Sequence, residues 1–183
     1  MANGGRRGLW LALVPVLLLV GLVGALAGGL IWNMANVPEP LVGREVPDFD
    51  LPRLHDPDAR FTRADLVGKP ALVNVWASWC VTCLQERGTL VQLQRMGIPV
   101  YGFNFRDTRE QAIASLARGA DPFSAVGFDP YGRTSAAWGA HATPVTFLVD
   151  RHGIVRLKHV GPLHPDLITR QLLPLYRHLE AES

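Results

Sequence analysis

The chain is 183 residues long and 48% hydrophobic, with 18 Lys and Arg against 16 Asp and Glu for a formal charge of +2. So small a basic excess, with no basic stripe, excludes a nucleic-acid binder. Two cysteines and six scattered histidines leave no four-ligand set for a structural zinc, and nothing calls for a metal or cofactor.

The N-terminal part sets the compartment. Leu9 to Ile31 contains no charge and is rich in Leu, Val, Ala and Gly; at ~1.5 Å per residue it spans a bilayer core of about 30 Å with some tilt. Arg6 and Arg7 precede it and the first acidic residue is Glu39, so the positive-inside rule keeps the N-terminus in the cytoplasm and sends the rest outward. Residues 1–8 are read as cytoplasmic, 9–32 as a transmembrane signal anchor with Trp32 at the interface, 33–42 as a linker kept extended by Pro38 and Pro40, and 43–183 as an extracytoplasmic domain. The expected location is a single pass through the inner (cytoplasmic) membrane with the domain in the periplasm. Ala25-Leu26-Ala27 fits a cleavage pattern, but the apolar stretch outlasts a usual signal h-region, which favours a retained anchor. Setting aside Arg6 and Arg7 leaves 16 basic against 16 acidic residues, so the outer part is formally neutral. Its roughly 140 residues suit one compact domain.

In chain order, Val46 to Pro52 reads as extended, followed by Arg60-Phe61 and a turn of helix at Arg63 to Leu66. Gly68-Lys69-Pro70 launches a strand over Ala71 to Trp76, continuously apolar except for Asn74, as expected of a strand covered on both faces. A helix runs from the cysteines towards Met96, with Leu84, Leu90, Val91 and Leu93 as its apolar stripe and Gly97 ending it. Val100 to Phe105 is the next strand, and Thr108 with Gln111 resembles a capping box opening a helix over Arg109 to Ala117. Ser124 to Phe128 reads as a short strand and Arg133 to Trp138 as a short helix. Val145 to Asp150 and Ile154 to Val160 flank the turn Arg151-His152-Gly153 as a hairpin, and Pro165 to His178 closes the chain as a helix. The order describes an α/β fold: a mixed central sheet flanked by helices, thioredoxin-like, with a βα insertion before the hairpin.

The chemistry lies in Trp79-Cys80-Val81-Thr82-Cys83, where a strand turns directly into a helix. Cys80 then sits at a helix N-terminus, where unpaired N–H groups and the helix dipole favour a thiolate. Cys83 lies one turn along the same face, so the two sulfurs can approach bonding distance. A bridge over so short a loop stabilises little, which speaks against a purely structural disulfide and for redox exchange.

These residues, together with Gly43-Arg44-Glu45-Val46-Pro47-Asp48-Phe49, Asn74 to Cys83 with Glu86, Thr143-Pro144-Val145-Thr146-Phe147 and Val160-Gly161-Pro162-Leu163, resemble the membrane-anchored thiol:disulfide interchange proteins of cytochrome c maturation, DsbE or CcmG. The resemblance covers nearly the whole outer domain. It implies that a membrane thiol donor keeps the pair reduced and that the pair reduces a disulfide in apocytochrome c, directly or through a haem-ligation protein. Cys80 would attack and Cys83 resolve the mixed disulfide. Pro144 would be a cis-proline packed beside the disulfide, leaving the Thr143 backbone to pair with substrate; Trp79 would shield Cys80 at the substrate face. Glu86 matches an acidic position of the family and is the candidate base for Cys83, since Asn74 stands where thioredoxins carry a buried aspartate.

The chain departs from the family's Gly-Val-x-Gly-x-Pro-Glu-Thr-Phe pattern at Ala142 and Val145, and His141 is new beside the site. Loss of the carboxylate at Val145 bears on substrate preference and potential. Two alternatives share the architecture: a broader thiol reductase acting on copper-site cysteines, and a copper-binding assembly protein. The second normally spaces its cysteines by three residues and adds a distal histidine, against the spacing here.

Overall fold

The structure, a computed structural model, describes residues 15, 17–28 and 41–182. The chain divides into two compact units, Met1–Glu39 and Pro40–Ser183. In the first, residues 17–28 form a helix, α1, with Leu17, Leu18, Leu22 and Leu26 exposed. Among the described residues no helix is long and apolar enough to cross a membrane. Residues 1–8, both ends of the expected 9–32 anchor and the linker as far as residue 40 lie outside the described residues.

The second unit contains β1 (Asp50–Pro52), β2 (Arg60–Thr62), β3 (Ala71–Trp76), α2 (Val81–Arg95), β4 (Val100–Phe105), α3 (Arg109–Leu116), β5 (Ala125–Asp129), α4 (Arg133–Ala137), β6 (Val145–Val149) and β7 (Val155–Val160). It closes with α5 (Pro165–Leu167), a π-helical stretch Ile168–Leu172 and α6 (Leu173–Ala181). The main sheet has the order β5-β4-β3-β6-β7, with β3, β4 and β5 parallel and β6 antiparallel to both its neighbours. This is the expected thioredoxin-like α/β sandwich, with β4, α3 and β5 set between the cysteine unit and the hairpin.

Alternation along the strands builds two cores. Val73, Val75, Phe103, Phe105 and Phe147 pack around Trp138 on one face, while Leu72, Val100 and Leu148 pack against Leu90, Leu93, Leu172 and Tyr176 on the other. All six residues of β3 are buried, as its apolar run requires. Because β6 runs antiparallel to β3 with Val145 opposite Val75, the residues preceding β6 lie beside the end of β3, where the chain leaves for the cysteines. That topology brings Thr143-Pro144 and the Cys80 segment to one edge of the molecule.

Two local readings are modified. Only half of the capping box forms: Thr108 Oγ1 accepts the Gln111 N–H at 3.4 Å, but the Thr108 N–H donates to Asp107 Oδ1 at 2.8 Å instead. A capping box does form at Thr62 and Asp65, opening the helical turn Arg63–Leu66. The closing helix runs on as expected but changes its hydrogen-bond register: residues 168–172 are π-helical between α5 and α6, ending one residue short of Pro174, which has no N–H for the carbonyl four residues back. Gly97 ends α2 as expected, at a φ of 90° that a side chain would resist.

Candidate active site

Cys80 and Cys83 are joined in a disulfide. Cys80 is itself the N-cap of α2; its Sγ accepts the Cys83 N–H at 3.1 Å, the position a Ser or Asp side chain takes in an ordinary cap. The Cys83 N–H and the helix dipole thus point at the Cys80 sulfur, the arrangement that favours a thiolate at a helix N-terminus. In the disulfide form the two residues are equally buried, 6% and 7% exposed, so burial does not distinguish the attacking sulfur from the resolving one. Both cysteines belong to a buried apolar cluster with Trp76, Ala77, Leu116 and Val126.

What is exposed is the rim. Trp79 is 54% exposed and donates its indole N–H to the Arg106 carbonyl at 3.0 Å. Val81 and Leu84, on the first turn of α2, are exposed too, as is Val160, which pairs with Val145 next to Pro144. Trp76 is core, stacked on Phe123.

The Thr143–Pro144 peptide bond is cis. Pro144 is buried, Thr143 half-buried, and the Thr143 Oγ1 atom is enclosed without a hydrogen-bond partner among the described residues. His141 and Ala142 are exposed. Val145, the departure noted in the sequence, is the first residue of β6 and is buried in the core. No carboxylate occupies that place.

Glu86 is one turn beyond Cys83 on the buried face of α2 and is 4% exposed. Its two oxygens are held: Oε1 accepts Asn74 Nδ2–H at 3.0 Å and Oε2 accepts the Leu163 N–H at 3.0 Å. Asn74 also donates to Thr146 Oγ1 at 3.0 Å. Burial raises the Glu86 pKa above the ordinary carboxylate value, opposed by these hydrogen bonds and by His159 and His164 nearby. Asn74 thus orients the Glu86 carboxylate. Sequence spacing cannot show this, because Asn74, Glu86, Thr146 and Leu163 come from separate elements. A cavity of about 10 Å³, barely room for one water, lies between Asn74, Trp76, Cys83 and Arg87.

Sequence reasoning missed Asp107. It is 9% exposed, in the turn between β4 and α3, and binds the segment leading into Cys80 through Ser78. Its only signal in the chain was an Asp beside the Thr108 cap.

The geometry has counterparts in known proteins. The Redoxin family matches residues 41–172. The thiol:disulfide interchange protein DsbE of Allochromatium vinosum is 41% identical over 90% of this chain and 91% of its own. That of Escherichia coli strain K12 is 36% identical over 93% of this chain and 96% of its own. Among solved structures, a chain from Chlorobium tepidum assigned to the same interchange proteins superposes with a TM-score of 0.60 at 30% identity, covering 75% of this chain and 95% of that one.

Proposed function

We propose that this chain, which belongs to the DsbE family of thiol:disulfide interchange proteins and is a thioredoxin-like oxidoreductase, works as a reductant in cytochrome c assembly. Its substrate in this reading is the disulfide of the haem-attachment Cys-x-x-Cys-His in apocytochrome c, or a haem-ligation protein that carries the same electrons. The observation that carries the reading is the placement of Cys80 as the N-cap of α2, with the Cys83 N–H on its sulfur.

The reduced Cys80 thiolate attacks one sulfur of the substrate disulfide, forming a mixed disulfide and expelling the other substrate sulfur as a thiolate. Cys83 then loses its proton and attacks Cys80 Sγ, so the Cys80–Cys83 bond forms while the second substrate sulfur leaves with its electron pair. Two electrons pass to the substrate. Glu86, one turn from Cys83 on the buried face and with its proton affinity raised by burial, takes the Cys83 proton in this scheme. Trp79 and the backbone at Thr143 border the substrate peptide, and the exposed apolar rim offers it a dry contact. A membrane thiol donor restores the dithiol. Residues 9–32 tether the protein to the inner membrane, with the redox domain on the periplasmic side.

The test is a trap. With Cys83 changed to Ala, the mixed disulfide on Cys80 has no resolving thiol and accumulates. In cells making c-type cytochromes, the adducts resolved under non-reducing conditions and identified by mass spectrometry should contain apocytochrome c or a haem-ligation protein. Adducts dominated by copper-site proteins or by many unrelated proteins would replace this reading with a broader reductase. No adduct from a well-expressed variant would remove thiol exchange through Cys80.

A further inference from the structure

The segment that carries Trp79 and Cys80 is tied to the β4–α3 turn at two points. Asp107 Oδ2 accepts the Ser78 N–H at 2.6 Å and Asn104 Nδ2–H at 3.0 Å, while Oδ1 accepts the Ser78 hydroxyl and the Thr108 N–H, both at 2.8 Å. Those donors use the full accepting capacity of an ionised carboxylate, about four lone-pair sites. The second tie is the Trp79 indole on the Arg106 carbonyl. Arg106 adopts a left-handed φ of 46°, uncommon for a residue with a side chain. Gly132 backs the same turn: a Cβ there would meet the Phe105 ring at 2.5 Å and Arg106 Nε at 3.0 Å.

Burial does not explain this arrangement, because the ring it holds is 54% exposed and gains little from leaving water. The sheet and α2 are not explained by it either, since β4 has ended at Phe105 and α2 begins only at Val81. What the bonds determine is where an exposed indole and the reacting sulfur beside it stand. Reactive groups need placement to about 0.5 Å, by partners that are themselves locked.

We propose that Asp107 is a positioning residue for thiol exchange: through Ser78 it fixes Trp79 and Cys80 relative to the incoming disulfide and so sets the rate of attack. The proposal rests on the reading of Cys80 as the attacking sulfur. Asp107→Asn preserves shape but turns an NH₂ towards donors that need an acceptor. Ser78→Ala is milder, removing the hydroxyl and leaving the backbone N–H bond.

The experiment uses the full-length protein and, as substrate, a peptide with a Cys-x-x-Cys-His disulfide. Exchange rate, the pH midpoint of Cys80 alkylation and the fluorine resonance of Trp79 in fluorotryptophan-labelled protein, identified as the signal that Trp79→Phe removes, are followed in each variant. Asp107→Asn should slow exchange on the order of ten-fold. Ser78→Ala should slow it by a smaller factor, and both should move the alkylation midpoint and the Trp79 resonance. Folded variants with wild-type rate, midpoint and resonance, changed only in melting temperature, would overturn the proposal. If Asp107→Asn does not fold, Ser78→Ala decides alone: a wild-type rate and midpoint would overturn it. Absence of exchange by the unaltered protein, or exchange surviving Cys80→Ser, would instead overturn the underlying reading of Cys80.

Discussion

At the level of single residues, Glu86 carries the largest consequences. Its folded-state pKa is raised by burial, so the native protein binds the proton more tightly than the unfolded chain does. The stability this contributes is present below the ordinary carboxylate pKa and is lost as pH rises through the raised native value. Glu86→Gln removes that slope, and the neutral side chain fits if the Asn74 amide turns over, presenting Oδ1 to the new NH₂ while Thr146 donates its hydroxyl. Urea unfolding of the disulfide form across pH should therefore show a declining stability in the wild type and a flatter one in the variant; equal slopes would contradict the buried-proton account. Glu86→Ala has no such escape. It leaves Asn74 Nδ2 and the Leu163 N–H short of an acceptor, at about 1–3 kcal/mol for each donor left unsatisfied. The placement of Cys80, Cys83 and Glu86 along one line was legible in the chain because they follow one another at helical spacing from the cap of α2. Asp107 was not, because its bonds to Ser78 cross a sequence gap that no local pattern spans.

Elements were legible in proportion to how much of their order is local. β3, β4, β6 and β7 announce themselves as apolar or alternating runs, and α2 as a cap, a stripe and a terminal glycine. β1 and β2 have three residues each and only Leu51 and Phe61 buried, so nothing in their own composition makes strands of them. They exist by tertiary attachment: Arg53 bridges to Gly127, the Leu54 N–H donates to the Val126 carbonyl, and the Arg109 guanidinium donates to the carbonyls of Arg53 and Leu54. Gly127 makes the approach possible, because a Cβ there would stand 2.7 Å from Leu51 Cδ1 and 2.9 Å from Phe61 Cδ1. Gly127→Val should cost about 1–3 kcal/mol by overpacking, with the β1–β2 ribbon becoming protease-sensitive before the sheet unfolds. Limited proteolysis alongside the unfolding curve checks this, and a ribbon cleaved no earlier than the sheet would show that it does not depend on that close approach. The π-helical turn in the closing helix had its mark in the chain as Pro174, but whether a proline kinks, ends or shifts a helix into π geometry depends on the surface it packs against.

For the whole molecule, the expectation from the N-terminal charges is a tethered protein. The full chain should stay with the membrane fraction through alkaline extraction, and a phosphatase reporter fused after Ser183 should be active outside the cytoplasm; release by alkali would refute the anchor reading. Redox state is expected to leave the fold alone. Cys80 and Cys83 are separated by three positions, and a loop that short withdraws little entropy from the unfolded chain. Unfolding midpoints with and without reductant should differ far less than for a bridge that spans a domain, as calorimetry under both conditions will show. The protein is then a carrier and not a spring. With so little folding work stored in its bond, a round of electron delivery is expected to leave the body that presents the sulfur nearly unchanged, with the direction of transfer decided at the tip of α2 and by whatever partner stands opposite.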